Sequence, residues 1–77
     1  MSRFNELAKA KITDNRNLVI SEREAGGLTL AQQLVVDEGK HRTFVFLQGA
    51  VNTDLEGLIE VRDAINEALE KLSHKKN

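Results

Sequence analysis

From Thr53 to Leu72 the chain sets Leu55, Leu58, Val61, Ile65, Ala68, Leu69 and Leu72 three or four residues apart, with charged residues between them. That spacing places them on one stripe of an α-helix. Thr53-Asp54-Leu55-Glu56 ahead of it has the form of a capping box, in which Thr53 and Glu56 satisfy the free amides of the first turn. Glu67 and Lys71 add a favourable pair at four-residue spacing. The helix is expected over 53–72, and 73–77 as a flexible tail.

A helix with an apolar stripe needs a floor. The preceding segment, 17–48, supplies strand signals. Leu18, Val19 and Ile20 open a first strand, and Ala25-Gly26-Gly27 offers a hairpin turn. Leu28, Leu30, Leu34 and Val36 then share one side of a second strand at period two. Asp37-Glu38-Gly39-Lys40 turns the chain into a third, His41 to Gln48. The expected fold is α+β in one domain, 1–77: a three-stranded antiparallel sheet of two hairpins, covered on one face by the long C-terminal helix. Phe4, Leu7 and Ala8 at helical spacing predict a short N-terminal helix or arm over 1–16.

Register in the second hairpin decides which side the aromatics take. A type I turn with Gly39 in a G1 bulge pairs Val36 with Lys40, Leu34 with Arg42, Gln32 with Phe44 and Leu30 with Phe46. Both Phe then join the leucines in the core. A two-residue turn would send them to the other face. The bulged register is preferred because it gathers the large side chains. It leaves Thr29, Ala31, Gln33, Val35, Thr43, Val45 and Leu47 as a half-apolar second face, to be covered by Phe4 and Leu7 or by a second copy. Gln32 and Gln33 at mid-strand must find hydrogen-bond partners, and a sheet-packing or dimer-registry role is expected of them.

With 77 residues and no cysteine, a monomer would be marginal, and self-association is its readiest gain. A homodimer is expected, with Val35, Val45, Leu47 and Arg62 as its candidate residues. Arg62 falls inside the helix stripe. Its stem would lie on the core with its guanidinium in water, or it would pair with Glu22 or a partner's carboxylate.

Site chemistry is sparse. His41 and His74 lie far apart, and Ser2, Ser21 and Ser73 have no base at a telling spacing. Gly26-Gly27 precedes a strand, so no phosphate loop forms. Glu22, Glu24, Asp37 and Glu38 match no metal spacing. No catalytic residue, cofactor or metal is expected, and no enzyme. No apolar run reaches the ~20 residues of a membrane span, and the N-terminal residues lack a signal-peptide core. The expected location is the cytoplasm.

Two binding readings remain. Net charge is −1, and the helix carries an acidic ridge of Glu56, Glu60, Asp63, Glu67 and Glu70, which suits a basic groove on another protein. In size and type the chain resembles small phage-encoded accessory or inhibitor proteins that act by stoichiometric binding to a larger macromolecule. This protein-interaction module is the leading expectation. Alternatively, Lys9, Lys11, Arg16, Arg23, Lys40 and Arg42 could follow a phosphate backbone. Strands followed by a long helix, over roughly residues 17 to 72, resemble in topology alone the PC4-like fold, whose dimers bind single-stranded DNA. That resemblance implies contacts from Arg23, Lys40 and Arg42, with Phe44 and Phe46 as the available aromatics.

Overall fold

The computed structural model describes residues 4–75. It is an antiparallel sheet followed by one long helix: β1 Phe4–Thr13, β2 Arg16–Arg23, β3 Leu28–Glu38, β4 His41–Phe46, β5 Val51–Thr53 and α1 Leu55–His74. The strands lie in the order β1-β2-β3-β4, and β5 pairs with the start of β3 beyond the end of β4. The α+β architecture and the helix are as expected, but the sheet is larger than three strands.

The expected N-terminal helix or arm is instead strand β1; residues 1–3 of that segment lie outside the described residues. A helix of this length is weak alone, whereas the open edge of β2 offers a full ladder. Two register shifts interrupt the two-residue alternation that would mark this segment as a strand. They fall between Glu6 and Ala8 and between Lys11 and Thr13, leaving Leu7 and Ile12 as extra residues. A bulge resets the alternation, so side chains three apart, Glu6 and Lys9, return to one face as they would on a helix.

The β3–β4 hairpin also departs from expectation. Glu38 pairs with His41, Val35 with Phe44 and Gln33 with Phe46, so the turn is the two residues Gly39-Lys40. Gly39 has φ +69°, and no other residue type takes positive φ among the described residues. Glycine at the first central position is the signature of a type II′ turn, whose twist suits adjoining strands. The pairing parity therefore reverses: Phe44 and Phe46 leave the leucine side. Val45 joins the leucines opposite Leu34, while Val35 stays with Phe44, so the proposed self-association trio of Val35, Val45 and Leu47 does not form one surface.

Residues directly paired share a face. The first face carries Leu18, Ile20, Leu28, Leu30, Leu34, Val36, Val45 and Val51, with Ala8 and Ala10. The second carries Lys9, Val19, Thr29, Ala31, Gln33, Val35, Phe44 and Phe46.

The expected cover is missing. Helix α1 touches the rest of the fold chiefly through β5 and has no buried residue; Ile65, Leu69 and Leu72 are all exposed. Its cap is Asp54, not Thr53: Asp54 Oδ1 accepts the Gly57 amide at 2.9 Å. The helix runs to His74, slightly past its expected end. Val19, 1% exposed, is the single fully buried hydrophobic side chain among the described residues.

A candidate nucleic-acid interface

The second sheet face is curled. Strands lie ~4.8 Å apart, so β1 and β4 stand about three spacings from one another across the sheet. Yet Lys9 Nζ, from β1, sits 5.0 Å from the centroid of the Phe44 ring on β4. Only a concave face brings those side chains together. Lys9 is the direct partner of Val19, and its stem arching toward Phe44 accounts for the burial of Val19 beneath it.

Polar pairs fix the floor. Asn17 Nδ2 donates to Gln33 Oε1 at 3.1 Å, and Thr29 Oγ1 donates to Asn52 Oδ1 at 3.3 Å. Gln33 and Thr29 are both buried, and these bonds remove the cost of placing amide and hydroxyl groups there. Gln32, on the leucine face, accepts from Arg16 Nη1 at 3.2 Å. Both glutamines thus serve strand pairing, as expected of residues that must find partners.

Beside this floor a hollow of about 460 Å³ opens between Phe4 and Phe46, over Val19, Thr29 and Ala31. Leu47 and Ala50 form its rim. Phe44 is 48% and Phe46 58% exposed. Rings in a core would not be. Phe4, paired with Arg23, is exposed as well.

Charge is unevenly shared. On the curled face Lys9, Lys11, Arg23 and Arg42 stand against Glu6 and Asp37, and Asp14, in the β1–β2 turn, lies 3.6 Å from Lys11. Lys9 lies 3.9 Å from Glu6, a loose contact. Lys40 is in the β3–β4 turn, at the end of this face. All five were among the basic residues named from sequence, but the bulges of β1 hide that Lys9 and Lys11 share this face, and the sixth, Arg16, is paired with Leu34 on the leucine side.

The acidic ridge lies elsewhere. Glu56, Glu60, Asp63, Glu67 and Glu70 are all exposed along α1. Two of them are engaged by their own helix: Asp63 accepts from Arg62 at 3.1 Å, and Glu67 pairs with Lys71 at 3.3 Å. Arg62 is exposed and makes no pair with Glu22. Among the described residues, no three of His, Cys, Asp or Glu gather as a metal site, and no helix is long and apolar enough to cross a membrane. His41 is exposed at the start of β4.

Set against protein-family models, curated proteins and solved structures, the chain matches none of them.

Proposed function

We propose that this protein is a non-catalytic binding module that takes single-stranded nucleic acid on its curled sheet face. The observation that carries the reading is the pairing of exposed Phe rings with cations on one concave surface, with Lys9 seated over Phe44. Single strands expose both an anionic backbone and flat bases, and proteins that hold them without sequence preference combine a basic groove with aromatic platforms. In the register expected from sequence both rings would be in the core. In the observed register both are exposed. The rings would stack bases, while Lys9, Lys11, Arg23 and Arg42 would neutralise phosphates and Lys40 would extend the track.

The stoichiometric protein-interaction reading rests on a different observation, the exposed acid along α1. It is the weaker of the two, because Asp63 and Glu67 face Arg62 and Lys71 at 3.1 and 3.3 Å, closer than Lys9 and Lys11 lie to Glu6 and Asp14 at 3.9 and 3.6 Å, although exposed ion pairs of this kind are weak enough to exchange partners. Charge reversal separates the two. Lys9→Glu with Arg42→Glu should abolish binding to a fluorescent oligothymidine strand, and Glu56→Lys with Glu60→Lys should leave that binding intact or strengthen it. Retained binding in the first variant would defeat the nucleic-acid reading.

A further inference from the structure

The apolar side of the sheet and the apolar stripe of α1 lie uncovered in the same chain. We infer that they are two halves of one interface: each helix lies on the leucine face of a second copy, giving a dimer with exchanged helices. This goes beyond the nucleic-acid reading and stands without it, since it uses the opposite sheet face.

Surface area argues first. The chain exposes 6545 Å², whereas a compact monomer of its mass exposes about 4,700 Å². The excess is roughly 1,850 Å² per chain, and twice that falls within the ~2,000–5,000 Å² buried by obligate dimers. Its Cα radius of gyration is 15.0 Å, against about 11.5 Å for a compact domain of this length. The surplus is the size a permanent partner removes.

The chemistry of the two surfaces matches. Leu18, Ile20, Leu30 and Leu34 are half-buried on the sheet, and Ile65 and Leu69 are exposed on the helix. Their lengths match as well. A helix of 20 residues spans ~30 Å, and the 11 residues of β3 span ~36 Å.

The helix is also held away from its own sheet. One residue, Asp54, separates β5 from α1, and it is extended at φ −138° and ψ −173°. The Thr53 side chain occupies the space where a Cβ on Gly57 would stand, so the first turn of the helix is seated against β5. A connection this short and this filled does not fold α1 back over the leucine face. A second copy meets no such constraint, and it brings an identical helix for the face and an identical face for the helix.

The test is mass and linkage in the full chain, without nucleic acid. Sedimentation equilibrium should give twice the 8.6 kDa of the chain, and the thermal midpoint should rise with protein concentration, as mass action requires. A monomer mass overturns the proposal, whether the helix has folded home or awaits another protein. Linkage then tests the exchange. The chain has no cysteine, so Leu30→Cys chains and differently tagged Ile65→Cys chains can be refolded together and treated with a short bis-maleimide. A product joining one chain of each kind supports the exchange. Linkage only between two Ile65→Cys chains, or intramolecular linkage in a chain carrying both cysteines, contradicts it.

Discussion

Replacing both Phe44 and Phe46 by alanine separates a surface role from a core role by magnitude. Full burial of a Phe side chain contributes ~1.5–3 kcal/mol. Because Phe44 and Phe46 are 48% and 58% exposed, only about half of that is lost on truncation, or about 1 kcal/mol per ring. Truncation of a core Phe costs ~3–5 kcal/mol, and a chain of this length has a total stability of ~4–12 kcal/mol. Two core truncations would therefore leave little or no folded protein. Two surface truncations should cost about 2 kcal/mol and lower the thermal midpoint by roughly 8–16 °C. Base stacking on each ring contributes ~1–3 kcal/mol, so the double variant should bind oligothymidine at least ~30-fold more weakly. Circular dichroism melts read the first quantity and fluorescence anisotropy the second. An unfolded double variant would refute the observed register, and a folded one with unaltered affinity would refute the stacking role.

Two further substitutions test the local geometry. Gly57→Ala should destabilise the fold in denaturant titration, although alanine favours a helix interior by ~1 kcal/mol, because the new Cβ meets Thr53; in a Thr53→Ala background the loss should shrink or reverse. Gly39→Ala, at φ +69° in a type II′ turn, should cost ~1–3 kcal/mol, as read from urea midpoints.

The sequence revealed some elements better than others, and the differences have physical causes. The helix was legible because its apolar spacing persists over 20 residues, and the turn at Gly26-Gly27 because both glycines require positive φ, +102° and +89°. Thr53 and Asp54 both suit a cap, and the chain uses Asp54 while Thr53 closes β5. The β1 strand was hidden by its two bulges, which break its two-residue alternation, and β5 is too short to show a period. The β3–β4 register was misjudged because a positive φ at Gly39 fits both a G1-bulged turn and a two-residue turn, and the gathering of large side chains was used to choose between them. Four cations and two rings of the candidate interface were therefore visible as residues but not as one surface. The uncovered helix was not legible because the helix stripe was matched to the leucine face of its own chain, and a second copy was considered only for the opposite sheet face.

The salt dependence of oligonucleotide affinity tests the central claim most directly. For single strands the slope of log K against log salt is about −0.7 per phosphate neutralised, so Lys9, Lys11, Arg23 and Arg42 together set about −2.8 per protomer. Anisotropy titrations of the unmodified protein with oligothymidine across a salt series should give a slope near that value, shallower by about 0.7 when Lys11 is replaced by Ala. No measurable binding at low salt, or affinity indifferent to salt, would contradict the account.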